Sequence, residues 1–205
     1  MDTSVKVSLM SSFISNRSCQ VVVVGDGAVG KTYYVPTVFD NYNANTLYGN
    51  QSVSLGLWVC TLFNHRNVQK ILSHLKDTVK KIMTLFTSKI SLNNVKQKWL
   101  PEIKQHMQKN TPILLVGLKK DLRNDHKTIK EAQEFGDAIV SEKEGMEASK
   151  AMNCVTYCEC SAKTREGLEE VFLNAIAAVL DPQQFIHMSE KQPKKTPKKK
   201  GCSLL

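Results

Sequence analysis

Acidic residues are scarce in this chain of 205 residues, 19 against 28 Lys and Arg, and no apolar run approaches the ~18 residues of a membrane-spanning helix. Aromatics make up 7% of the chain, and paired C-x-x-C elements are missing although there are six cysteines. Without such pairs the group Cys154, Cys158, Cys160 has the wrong spacing for zinc and no adjacent His, so reduced thiols are expected. The first 18 residues lack the long apolar core of a cleavable signal peptide. Hydrophobic residues, by contrast, reach 41%, and the length suits one domain that buries roughly two thirds of its unfolded surface without disulfides. The net charge of +9 is concentrated in two places. Residues 186–205 carry six Lys and one Glu, and residues 64–109 carry ten Lys or Arg and two acids. The second segment has no interleaved aromatics or known module, which excludes a nucleic-acid binder.

The order of elements implies an α/β sheet. Gln20 to Val24 is a continuous β-branched run ending at glycine, as in a strand buried on both faces. Val53, Leu55 and Leu57 alternate into a second strand after a Gly49-Asn50 turn, and the runs Pro112–Val116 and Val155–Cys158 predict two more. Helical patterns cover Leu92–Gln108, Ile129–Phe135, Ser141–Met152 and Glu166–Leu180. Strand alternating with helix predicts a layered α/β domain over residues 19–182, preceded by a leader (1–18). The Lys-rich tail (183–205) is expected to be disordered.

Gly25-Asp26-Gly27-Ala28-Val29-Gly30-Lys31-Thr32 fits G-x-x-x-x-G-K-[ST] and follows a predicted strand, the context of a phosphate loop. Its glycines let backbone N–H groups surround a β-phosphate, Lys31 sets a cation between β and γ oxygens, and the Thr32 hydroxyl suits magnesium.

Further segments resemble the Rho/Rac family of small GTPases, within the Ras superfamily. The stretch Tyr34, Val35, Pro36, Thr37, Val38, Phe39, Asp40, Asn41, Tyr42 looks like the effector loop, in which Thr37 would reach magnesium and the γ-phosphate. Lys119-Lys120-Asp121 resembles the guanine-reading motif, and Glu159-Cys160-Ser161-Ala162-Lys163 the second base-contacting loop. A carboxylate at Asp121 can accept two parallel hydrogen bonds from guanine, which adenine cannot offer. The charged helix at 128–137 matches the extra helix of the Rho branch, and matched segments cover about two thirds of the chain. Lys194, Lys195, Lys198, Lys199 and Lys200 precede Cys202-Ser203-Leu204-Leu205, a C-a-a-X box whose Leu favours geranylgeranyl on Cys202.

The resemblance implies a three-layer phosphate-loop G-protein fold with GTP or GDP and Mg2+ as ligands, Lys31 and Thr37 serving catalysis. It also implies a monomer that meets exchange factors, GTPase-activating proteins, guanine dissociation inhibitors and effectors, and signals to the actin cytoskeleton. Lipid and lysines together would hold it on the anionic cytoplasmic face of the plasma membrane, with a cytosolic pool.

Two departures are visible. Only Tyr33 to Pro36 separate Thr32 from Thr37, so the helix that follows the phosphate loop in the family is missing. After Leu57-Trp58 the family's second switch, Asp-Thr-Ala-Gly-Gln, is replaced by Val59, Cys60, Thr61, Leu62 and Phe63, which cannot position magnesium or the attacking water. Residues 59–90 match nothing in the family, so a core strand is expected to be absent and the fold incomplete. Val59-Cys60 must be encoded GTN-TGY, the start of a splice donor, and Val79-Lys80-Lys81-Ile82-Met83 is what a family-like second switch yields when read one base late. The alternative expectation is therefore a prenylated pseudo-GTPase, or the product of a mispredicted or decayed gene, with weak or no nucleotide binding. Leu118 also stands where the family has a polar residue before the Lys.

Overall fold

The computed structural model describes residues 17–26, 39–60 and 81–180, with the side chains of 39–42 and 60 aside. Its sheet contains β1 (Arg17–Gly25), β2 (Phe39–Tyr48), β3 (Gln51–Cys60), β4 (Lys81–Phe86), β5 (Ile113–Gly117) and β6 (Thr156–Glu159). The strand order is β2-β3-β1-β4-β5-β6, with β2 antiparallel to β3 and every other neighbouring pair parallel. One long helical stretch comprises α1 (Lys89–Asn94), a π-helical turn (Val95–Trp99) and α2 (Leu100–His106). It is followed by a 3-10 turn (Lys120–Asn124), α3 (His126–Glu134), α4 (Glu142–Ala151) and α5 (Leu168–Leu180).

Three layers result because strand side chains alternate between faces. Val22, Val24, Ile82, Phe86 and Leu115 pack beneath Trp99, Leu100 and Ile103 of the long helix and Met152 after α4. Val21, Val23, Met83, Leu85, Leu114 and Val116 pack beneath Val171, Ala175 and Ile176 of α5. The helix starts follow the capping rules. Ser88 and Ser91 form a reciprocal box before α1, Asp125 caps α3, and Ser141 with Glu144 caps α4. The Ser88 cap starts the first helix three residues ahead of the Leu92 expected from periodicity, and the stretch ends at His106, two residues before Gln108.

Two expectations change. β2 has no counterpart in the sequence reading, because Asn43, Ala44 and Asn45 give it no apolar alternation; it forms as an edge strand closed onto β3 by the Gly49-Asn50 turn. The second is a correction. The core strand expected to be missing from 59–90 is β4, which lies between β1 and β5, buried at every position. Lys81 concealed it, since a lysine argues against a central strand. It is fully buried on the α5 face, and its Nζ donates to the Asn174 carbonyl at 3.0 Å. Burial lowers its pKa from 10.5 to about 7, opposed by the nearby Cys19 and Cys158 thiols. β1 begins at Arg17, inside the segment read as a leader. The tail, the lipidation residue Cys202, and residues 61–80 lie outside the described residues.

Candidate functional site

The register of the sheet brings three sequence motifs to one edge. Gly25 pairs with Leu85, Leu85 with Val116, and Val116 with Cys158; one residue further, Phe86, Gly117 and Glu159 form the next row. The chain leaves those row ends at Asp26, at Leu118-Lys119 and at Cys160-Ser161, all on the carboxyl side of parallel strands. From β1 the sheet grows one way through β3 and β2, and the other way through β4, β5 and β6. Such a reversal in an open α/β sheet leaves a crevice beyond the strand ends, the usual ligand position. Gly25 and Asp26 stand at that point. A Cβ on Gly25 would come within 2.6 Å of the Leu85 carbonyl oxygen, so the close approach of β1 to β4 needs glycine there.

On the β5–β6 side, two loops are fastened to each other. The Lys120 N–H donates to the Cys160 carbonyl at 3.1 Å, and the Cys160 N–H to the Gly117 carbonyl at 2.9 Å. Lys120 Nζ also meets Glu166 Oε1 at 2.6 Å, a hydrogen bond that raises the lysine's pKa. Lys119 has a left-handed backbone (φ 56°) and is exposed, whereas Asp121 in the 3-10 turn is half-buried. Ser161 is fully buried, its N–H donating to the Glu166 carbonyl at 2.9 Å and its Oγ accepting from the Thr164 N–H at 3.1 Å. Ala162 and Lys163 are left exposed at the tip. Gly167 closes this loop at φ +70°, where a Cβ would lie 2.2 Å from the Glu159 carbonyl oxygen.

Of the residues that tie the loops most strongly, Arg123 and Tyr157 have no role in the sequence reading, and Glu159 enters it only as the first residue of the second base-contacting loop. Arg123, after the guanine-reading motif, places its guanidinium on Glu159, which opens the second loop, with Nη1 donating to Oε2 at 2.7 Å and Nη2 to Oε1. Its Nε reaches the Val140 carbonyl at 3.2 Å, and the Tyr157 hydroxyl also donates to Glu159 Oε1. Burial works to raise the Glu159 pKa, but the hydrogen bonds from Arg123 and Tyr157 outweigh it and hold the carboxyl below its ordinary range. Burial and the bond to Glu159 push the Tyr157 hydroxyl far up, so the network stays ionised as Arg⁺ and Glu⁻ near neutrality. The sequence signal was Arg123 two residues after Asp121, with Glu159 two before Ser161.

On the β1–β3 side, Asp26 is held by the Trp99 indole at 2.8 Å and the Asn94 amide at 2.7 Å. Trp99 also packs in the core from the long helix, so one side chain does both. Gly27 to Lys31, Thr32 and Thr37 lie outside the described residues, as do Tyr34, Val35, Pro36 and Val38. Of the effector segment, Phe39–Tyr42 form the start of β2, paired in register with Cys60 to Leu57.

The two sides fit the expected ligands unequally. The loops at Lys119–Asp121 and Ser161–Lys163 present a carboxylate and a rigid pair of loop tips suited to a purine base. At the place of the family's water-mediated magnesium ligand, Val59 is buried in the α5-side core and carries no donor. A protein-family model described as the Ras family matches residues 20–181, which spans all three loops. On that match and that arrangement, the chain belongs to the Ras family of small GTPases, whose members bind GTP or GDP with Mg2+.

Proposed function

We propose that this chain is a Rho/Rac-type guanine-nucleotide-binding switch held at the cytoplasmic face of the plasma membrane. The observation that carries the nucleotide reading is the single row of strand ends from which Asp26, Lys119–Asp121 and Ser161–Lys163 all depart, with Arg123 and Glu159 locking the base side. Asp121 would read guanine, Lys119 would lie along the base, and Gly25 to Thr32 would hold the phosphates. α3, inserted between the 3-10 turn and α4, supports the Rho branch, where the family carries an extra helix. The effector segment 34–42 runs into an edge strand, where a partner strand can add. A geranylgeranyl chain on Cys202 beside five lysines supplies the two signals that stable membrane attachment needs. Exchange factors, GTPase-activating proteins, dissociation inhibitors and effectors of the Rho type, acting on actin, are the partners that go with this reading.

Turnover is expected to be slow. The place of the water-orienting Gln holds Phe63, and Val59 offers magnesium no oxygen. Buried Val59 and buried Lys81 favour a second reading, a prenylated pseudo-GTPase with weak nucleotide affinity. Mant-GDP fluorescence titration with and without magnesium separates the two. Submicromolar binding supports the switch, whereas micromolar or weaker binding with either solution sinks it.

A further inference from the structure

We propose that Asn94 and Trp99 are positioning residues for the phosphate loop, acting through Asp26. Asp26 is the first residue after β1, at the reversal point of the sheet, and the second residue of the G-x-x-x-x-G-K-T motif. Its two carboxylate oxygens are taken by different donors: Trp99 Nε1–H on Oδ1 at 2.8 Å and Asn94 Nδ2–H on Oδ2 at 2.7 Å. Both donors come from the helix that packs against β1 and β4, and Trp99 is 2% exposed with its ring in the core. The loop's first side chain is thereby fastened to a rigid element. Two donors on one carboxylate fix where the loop begins.

The local helix geometry makes this possible. Asn94 and Trp99 are five residues apart, and an α-helix turning 100° per residue would place them about 140° apart around its axis. The segment Val95–Trp99 is instead a π-turn, in which the Leu100 N–H donates to the Val95 carbonyl five residues back. That widened turn brings residues five apart onto one side, so both can reach one carboxylate. Lys98 lies over the Trp99 ring, 4.9 Å from its centroid, and helps fix the indole. A π-turn forfeits the regular hydrogen-bond ladder of an α-helix, and here the paired grip on Asp26 is what it provides.

The inference rests on the nucleotide reading above and adds residues outside the motif to it. Its test compares the full-length wild-type chain with Asn94→Asp, Trp99→Phe and the Asp26→Asn/Asn94→Asp double variant. Mant-GDP dissociation rates, the ratio of GDP to guanosine affinity, and thermal unfolding without nucleotide are measured for each. Trp99→Phe keeps an aromatic ring in the core but removes the indole N–H together with the five-membered ring, and is expected to speed GDP release about tenfold, with the packing loss read separately in thermal unfolding. Asn94→Asp sets two carboxylates against each other and is expected to speed it more. The double variant restores one donor and one acceptor and should recover most of the wild-type rate. The loss should fall on GDP and spare guanosine, because the phosphates and not the base are being positioned. Wild-type release rates in both single variants would overturn the inference, as would equal losses for GDP and guanosine or no recovery in the double variant. A wild-type chain that binds no GDP at all would overturn the nucleotide reading and the inference together, so the two failures are distinguishable.

Discussion

The β5–β6 half of the sheet and the β1–β3 half carry different amounts of what a nucleotide site needs. In the first half every loop is tied to another: Arg123 to Glu159, Lys120 to Glu166, and the Lys120 and Cys160 N–H groups to backbone carbonyls across the gap. In the second half the described loop residue Asp26 is gripped equally well, but Val59 has taken the place of a metal-positioning carboxylate. Framework contacts are thus present in both halves, while the reactive donors are depleted in one. Backbone register and buried hydrogen bonds depend on many residues and tolerate the loss of one, whereas a metal ligand depends on a single side-chain oxygen. On the proposed reading, base recognition would therefore outlast the loss of hydrolytic chemistry.

The strongest way to probe that contrast is at Lys81, which lies at the start of β4 and so at the end of the sheet away from both loops. Its pKa falls from 10.5 to about 7, so the unfolded chain binds more protons between those values and stability must rise with pH across them. Above about pH 9 the buried thiols of Cys19, Cys154 and Cys160, raised to about 11, act in the opposite direction. From pH 7 to 9 the wild type should gain roughly 2 kcal/mol in urea unfolding from this lysine, and Lys81→Met should show no such gain. At pH 7 the variant is expected to be more stable by at most about 5 kcal/mol. A variant no more stable than wild type, with the same pH slope, would remove Lys81 as the weak point of the fold.

Arg123→Ala should be the next largest change, and it attacks the intact half. Glu159, half-buried with its side chain 8% exposed, would keep the Tyr157 hydroxyl but lose its cation, a loss of about 3 kcal/mol. The Glu159 carboxyl titrates below its ordinary value near 4.5, so its contribution is complete above that pH and disappears as pH falls through the folded-state value. The variant should therefore lose the acid-side part of the stability profile and release mant-GDP faster. If release is unchanged, the Arg123–Glu159 tie holds the fold and not the base loops.

What could be read from the chain divides along the same line. The β1, β5 and β6 strands were legible because each is an apolar run ending at a loop with a recognisable motif. β4 was not, because Lys81 stands where a buried strand should begin, and β2 was not, because an edge strand buries too little to impose a pattern on Asn43 to Asn45. The loops that carry Lys119, Asp121 and Ser161 could be located through their resemblance to the family's motifs, and the strand register sets them side by side. The ties at Arg123, Asn94 and Trp99 could not, since they join residues 36, 68 and 73 positions apart. No local periodicity encodes contacts of that length.

Asp121→Ala is expected to act on ligand choice more than on the fold. Asp121 is half-buried in the 3-10 turn, and on the proposed reading its carboxylate accepts two hydrogen bonds that guanine offers and adenine lacks. Mant-GDP affinity should fall roughly 10- to 100-fold, and the preference for GDP over ADP should largely vanish. Unfolding in urea should shift little. Retained preference for GDP would mean that the base is read elsewhere than on the β5 loop.

The smallest effect is expected at Ser141, which sits beside the base half without belonging to it. Ser141 Oγ donates to Glu144 Oε2 at 2.7 Å, and the Ser141 N–H reaches the same oxygen at 2.9 Å, closing the cap of α4. These bonds, with Lys89 at 2.9 Å, lower the Glu144 pKa to about 2. The cap is exposed, so Ser141→Ala should cost only about 1 kcal/mol of stability. One turn further along α4, Gly145 lies against the ring of Tyr157, where a Cβ would come within 2.2 Å of Cζ, and Tyr157 donates to Glu159. Fraying confined to the first turn should leave that contact and the GDP release rate unchanged. A faster release rate in Ser141→Ala would mean that the packing of α4 on Tyr157 is itself part of what holds the base loops, and that the ties within the β5–β6 half extend to its surface helix.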